Sequence, residues 1–121
     1  MIKGVGIDLV EIQRVEKALK RWDHTLEKRI LTPEEIKLGE EKKGKAVFLA
    51  GRFAAKEAIF KSLGINPRWQ EVLVLTEEKG QPVVNFSRKI LKQIREKGVR
   101  EVLVSISHSK KYAIAQAIAL E

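Results

Sequence analysis

The spacing of apolar residues changes several times along this chain, and each change marks an element. From Ile2 to Leu9 the period is two: Ile2, Gly4, Gly6 and Asp8 share one face of a predicted strand, and Val5, Ile7 and Leu9 the other. Glycines leave the first face as bare backbone, which implies close approach of another element. Between Glu11 and Trp22 the period becomes helical, with Ile12, Val15, Leu19 and Trp22 on the apolar side and Arg14, Lys17 and Arg21 opposite. Beyond Asp23-His24 a short amphipathic segment leads to Thr32-Pro33-Glu34-Glu35. There Thr32 is an N-cap, Pro33 takes the first helical position and Glu35 closes a capping box, so another short helix follows. Gly39 to Lys45 is a charged connection.

The stretch from Ala46 to Gly64, AVFLAGRFAAKEAIFKSLG, predicts one helix about 27 Å long. It has no proline, recurrent alanine, and a glycine where a left-handed C-terminal residue is needed. On a helical wheel it is apolar almost all round, as expected of a buried helix, yet Arg52, Lys56, Glu57 and Lys61 interrupt it. Glu57 and Lys61 lie four apart on a stripe that continues through Ala54 and Ala50. They read either as an ordinary i,i+4 pair worth ~0.2 to 0.5 kcal/mol or as part of a cleft that takes a polyanion or a metal. The Ala50 and Ala54 stripe suits the glycine face of the first strand, which would bring Asp8 near Glu57. By itself Asp8 reads first as a helix N-cap or turn residue. The Gly4-x-Gly6 spacing is no dinucleotide fingerprint, because Leu9 stands where the third glycine belongs.

Past Gly64, Asn66-Pro67 marks a turn before a strand from Glu71 to Thr76 with Val72 and Val74 on one face. Gly80 and Pro82 punctuate a loop before a strand from Val83 to Phe86. Ser87 then caps a helix that points Ile90, Leu91 and Ile94 inward and stops at Gly98. Two strands finish the chain around a turn from His108 to Lys111, the last carrying an alanine face (Ala113, Ala115, Ala117 and Ala119) suited to a closely packed helix. The fold class expected is α+β: one compact domain over residues 1–121, with a small, mainly antiparallel sheet packed on a long central helix. His108 is either a solvated turn residue or, with Ser107 and Ser109, a group that hydrogen-bonds phosphate oxygens. Serine hydrolysis is disfavoured, since there is no G-x-S-x-G elbow.

Composition narrows the function. The 121 residues are 44% hydrophobic and 33% charged, which excludes disorder, and no apolar run approaches the ~20 residues of a membrane span. No leader is expected from Met1 to Gly4, and with no cysteine the default location is cytoplasmic, without disulfide, thiolate or cysteine-metal chemistry. A net charge of +8 calls for anionic partners. Lys42, Lys43 and Lys45 precede the long helix, where cations oppose its dipole and an anion could use them. A nucleic-acid-binding module without catalysis is one alternative, but the basic residues are dispersed and the few aromatics sit mostly at core positions. A purely structural trimer is another, and would leave Glu57 unexplained.

Three motifs together resemble the holo-[acyl-carrier-protein] synthases, the small bacterial class of 4'-phosphopantetheinyl transferases. They are Gly4-Val5-Gly6-Ile7-Asp8 with Ile12 and Arg14, then FLAGRFAAKEAIFK from Phe48 to Lys61, then Ser105-Ile106-Ser107-His108-Ser109. Their order and spacing match across essentially the whole chain, most specifically in the helix. The resemblance implies transfer of phosphopantetheine from coenzyme A to a serine of apo acyl carrier protein, with Mg²⁺ as cofactor. It implies Asp8 and Glu57 as metal ligands, and Glu57, Lys61 and His108 as catalytic residues. Lys43, Arg52, Lys61, His108 and Ser109 become coenzyme A contacts. The spacing of Arg14, Lys17 and Arg21 makes a row that could dock an acidic partner helix, and the resemblance places Arg14 and Arg21 at positions used for the carrier protein. It further implies a homotrimer with shared sites, in which Asp8 and His108 could serve Glu57 of another chain, and neither nucleic-acid nor membrane partners.

Overall fold

The computed structural model describes residues 1–22 and 24–121. Strand β1 (Ile2–Glu11) runs directly into helix α1 (Ile12–Trp22), and α2 (His24–Ile30) and α3 (Pro33–Glu40) lead to the long helix α4 (Lys45–Leu63). Asp23, at the expected handover from the first helix, lies outside the described residues. A short 3-10 turn (Trp69–Glu71) precedes the hairpin of β2 (Val72–Thr76) and β3 (Pro82–Phe86); α5 (Arg88–Glu96), β4 (Glu101–His108) and β5 (Tyr112–Leu120) complete the chain. The α+β architecture is as expected. β1, β5 and β4 form one antiparallel sheet in that order, and β2 and β3 a separate two-stranded one.

Helix α4 lies across the three-stranded sheet, and small residues set how closely. Ala113, Ala115, Ala117 and Ala119 of the central strand are buried against the helix side of the sheet. A Cβ built on Gly6 would stand 1.9 Å from the Ala58 carbonyl oxygen, and one on Gly4 1.9 Å from that of Ser62. The glycine face therefore meets Ala58 and Ser62, not the expected Ala50 and Ala54. Ala50 instead packs with Ile12 and Ala113. The helix ends as expected at Gly64, in the left-handed region at φ 66°.

Caps predicted from sequence are present. Thr32 Oγ1 accepts from the Glu35 amide and Glu35 Oε1 from the Thr32 amide, while Ser87 Oγ accepts from the Ile90 amide. In α1, Ile12 is buried and Val15 and Leu19 half-buried, but Trp22 departs from expectation: it is 55% exposed, with the Arg21 guanidinium 5.4 Å from its ring. The apolar stripe of α1 runs one turn past the surface that covers it.

Glu35 does more than cap. Lys56, fully buried, donates from Nζ to Glu35 Oε1 (2.6 Å), to the Ile30 carbonyl (2.7 Å) and to the Trp69 carbonyl (2.8 Å). Glu35 Oε2 accepts from the Val74 amide at 2.8 Å. All three ammonium protons are thus used, and one ion pair ties α2, α3, α4, the 3-10 turn and β2 together. Burial pushes the Lys56 ammonium below the ordinary lysine range, and the Glu35 carboxylate works against that shift. Removing one partner of such a pair strands the other charge, at a cost of about 3 to 5 kcal/mol. Lys56→Met should therefore lower the unfolding free energy by about that much in urea denaturation, and a loss under about 1 kcal/mol would mean that the pair is not holding these elements.

Candidate functional site

Two clefts flank the N-terminal half of α4 and share no lining residue among those described. The larger, about 780 Å³, is mostly apolar, with Leu9, Val15, Leu49, Phe53 and Trp69 among its walls. Asp8, Glu11, Arg14 and Arg29 also line it. Here β1 delivers Asp8, from the inward-facing row that continues the glycines. Lys61 Nζ reaches Asp8 Oδ1 at 3.2 Å and the Ile7 carbonyl at 3.1 Å.

Glu57, one turn before Lys61, is not its partner. The i,i+4 pair that the spacing permits does not form: Lys61 turns to Asp8, and Glu57 Oε1 accepts the indole N–H of Trp69 at 3.1 Å. Glu57, Lys61 and Asp8 therefore belong to one neighbourhood of a single chain, linked by Lys61 on one side and by the cleft residue Trp69 on the other. Asp8 Oδ2 and Glu57 Oε2 have no partner among the described residues, and no group of three or more histidine, cysteine, aspartate or glutamate residues is placed to hold a metal there.

The second cleft, about 320 Å³, gathers a different set: Lys42 and Lys43, Arg52, Thr76, Gly80 and His108. His108 thus groups with Lys43 and Arg52, and not with Asp8. The Arg52 guanidinium is largely buried, donating from Nε to the Val74 carbonyl (3.1 Å) and from Nη2 to Thr76 Oγ1 (2.7 Å), over the face of Phe48. Burial lowers its pKa and Glu35 opposes this. It anchors β2 and also forms one wall of a basic cleft. Ser109 is occupied in the turn: its hydroxyl accepts from the Tyr112 amide at 3.2 Å. Lys45, expected beside Lys42 and Lys43, begins α4 and pairs with Glu27 Oε1 at 2.5 Å, which places a carboxylate next to a cation at the helix start.

Along α1, Arg14, Lys17 and Arg21 are all exposed, and Arg14 also lines the larger cleft. The row therefore begins beside Asp8. The roles of four further residues are not visible in the sequence. Lys56 and Glu35 were legible only as a stray charge and a cap; Trp69 and Arg29 carry no local signal, because the cleft they line is assembled from distant segments.

Comparisons with known proteins identify the family and the fold. Residues 4–117 match the family model of the 4'-phosphopantetheinyl transferase superfamily. The holo-[acyl-carrier-protein] synthase of Alkaliphilus metalliredigens is 42% identical over 122 aligned residues, covering 98% of this chain and 99% of that protein. The crystal structure of the holo-[acyl-carrier-protein] synthase of Neisseria meningitidis superposes with a TM-score of 0.94 at 30% identity, covering all of both chains. That of Helicobacter pylori, in complex with coenzyme A, gives 0.85 at 31% identity over 96% of this chain and 99% of the other. The chain belongs to the 4'-phosphopantetheinyl transferase superfamily and, within it, to the holo-[acyl-carrier-protein] synthases.

Proposed function

We propose that this chain transfers the 4'-phosphopantetheine group of coenzyme A to a serine hydroxyl of apo acyl carrier protein, releasing adenosine 3',5'-bisphosphate. The observation that carries this reading is the neighbourhood of Asp8, Lys61 and Glu57 beside an apolar cleft that Asp8 and Trp69 line, on a chain alike along its length to holo-[acyl-carrier-protein] synthases. The serine oxygen attacks the phosphorus that bears pantetheine, and the bond to the bridging pyrophosphate oxygen breaks. Lys61, one turn after Glu57 on the same stripe and in contact with Asp8, would neutralise charge as it builds on that oxygen.

The donor set suits Mg²⁺. Asp8 and Glu57 each keep one oxygen unengaged among the described residues, and a hard cation of this kind is commonly held by one or two carboxylates with water and substrate phosphate. When bound, the metal would supply charge neutralisation at the pyrophosphate. Asp8 and Glu57 hold it in this reading, and the second cleft, with Lys43, Arg52 and His108, receives the phosphorylated nucleotide end of coenzyme A. No helix of the described residues is long and apolar enough to cross a membrane, and we place the enzyme in the cytoplasm.

Separation of the two residue sets supports sharing of each site between copies in a homotrimer. So does the outer face of the large sheet: Val5 (55% exposed), Ile7 (56%), Leu9 (59%) and Leu103 (51%) leave an apolar surface that association would cover. In that arrangement Asp8, Glu57 and Lys61 come from one copy and His108 with Lys43 and Arg52 from its neighbour. This replaces the pairing of Asp8 with His108, because Asp8 contacts Lys61 of its own chain.

Glu57→Gln should abolish turnover while leaving the melting temperature within a few degrees. The check is the Mg²⁺-dependent mass gain of an apo carrier protein incubated with coenzyme A. Near-normal mass gain at limiting Mg²⁺ would remove Glu57 from the metal site.

The exposed row on α1 is the docking surface in this reading, since carrier proteins are small and acidic and Arg14 adjoins the cleft. Single exposed pairs are worth ~0.2 to 1 kcal/mol, so several must act together. Arg14→Ala with Arg21→Ala should raise KM for carrier protein severalfold, leave that for coenzyme A unchanged, and make activity less sensitive to salt. Steady-state kinetics at two ionic strengths decides this, and an unchanged carrier-protein KM returns the row to ordinary solvated charge.

A further inference from the structure

We infer that Trp69 is a positioning residue for the Glu57 carboxylate: its indole N–H holds one carboxylate oxygen so that the other is presented to a divalent cation. The inference rests on Glu57 being a metal ligand, as proposed above. Its geometric basis is the 3.1 Å hydrogen bond from Trp69 Nε1 to Glu57 Oε1, with no second partner for Glu57 among the described residues.

Trp69 is itself held on several sides. Its carbonyl accepts from the buried Lys56 ammonium at 2.8 Å, and its ring packs on Phe53 with centroids 5.8 Å apart. The next residue, Gln70, donates to the Lys28 and Leu31 carbonyls at 2.6 and 2.7 Å. The donor that meets Glu57 is therefore fixed before any ligand arrives, and the glutamate loses side-chain freedom in advance.

Indole is suited to this task for a chemical reason. It donates one hydrogen bond and accepts none, and it carries no charge. A lysine or arginine in its place would orient the carboxylate equally well but would compete with the metal for its charge. Outer-shell partners of this kind typically set metal affinity by 10- to 100-fold.

A merely structural indole would stabilise a half-buried carboxylate and leave metal binding unmoved, so the two roles separate in a binding experiment. Mn²⁺ is titrated onto the full-length protein with coenzyme A bound, and free Mn²⁺ is read by electron paramagnetic resonance. Trp69→Phe, which keeps an aromatic ring against Phe53, should raise the Mn²⁺ Kd about 10-fold or more. Trp69→His, which retains a ring N–H, should bind more tightly than the phenylalanine variant. In a Glu57→Gln background Trp69→Phe should add less than about 2-fold, because the carboxylate it orients is gone.

If Glu57→Gln weakens Mn²⁺ binding but Trp69→Phe stays within about 2-fold of the parent, the positioning role is overturned and the metal reading stands. If Glu57→Gln itself leaves Mn²⁺ binding unchanged, both fall. Equal or weaker binding by the histidine variant, relative to phenylalanine, would also overturn the role of the N–H.

Discussion

A buried lysine on a helix that has almost no wet side must be given partners or the helix cannot be there, and Lys56 is that residue. The partners it takes are not interchangeable with apolar packing. Two of them, the buried Ile30 carbonyl and the part-buried Trp69 carbonyl, are backbone groups, and Glu35 in turn satisfies the Thr32 and Val74 amides. Replacing the ion pair with hydrophobic side chains, often neutral elsewhere, would here leave several backbone groups unsatisfied. One charge on α4 thus fixes where two short helices, the 3-10 turn and the β2–β3 hairpin sit.

The other charges of α4 inherit their directions from that arrangement. With Lys56 turned inward, Arg52 reaches β2 and one wall of the basic cleft, while Lys61 meets the first strand and Glu57 the 3-10 turn. The 3-10 turn that Lys56 anchors is also the one that brings Trp69 to Glu57. In the function proposed here, stability and chemistry fall on adjacent positions of one helix: Lys56 holds the frame and Glu57 would use it. Close approach of β1, which needs Gly4 and Gly6, completes the neighbourhood by bringing the Ile7 carbonyl and Asp8 to Lys61.

Much of this was legible in the sequence wherever a local rule suffices. Period two with glycines marked β1, the alanine face marked β5, and the caps at Thr32, Ser87 and Gly64 fall where side-chain chemistry puts them. Long-range pairings were hidden. Glu35 already had a full explanation as a capping residue, so nothing local pointed to Lys56, 21 positions away. Likewise the i,i+4 spacing of Glu57 and Lys61 suggests a pair, and only the fold reveals that each has a better partner. Trp22 shows the opposite error: a helical period continues past the surface that gives it meaning. Asp8, Glu57 and His108 were each visible as candidates, but the placing of Asp8 and of Glu57's partner Trp69 at one cleft and His108 at the other depends on which side of α4 each segment passes.

In the function proposed here, that division leaves one chain with two halves of a site, which association would join. Subunit complementation tests it directly. Two variants are prepared, Glu57→Gln and the double variant Lys43→Glu with His108→Ala, each inactive alone, and the two are co-refolded in equal amounts before transfer to apo carrier protein is measured. In a closed ring whose sites combine Glu57 of one copy with His108 of the next, about a quarter of the sites are restored by random assembly, and activity should return to about that share of the parent. A mixture no more active than its two components would contradict the shared site and place Glu57 and His108 in the service of one chain.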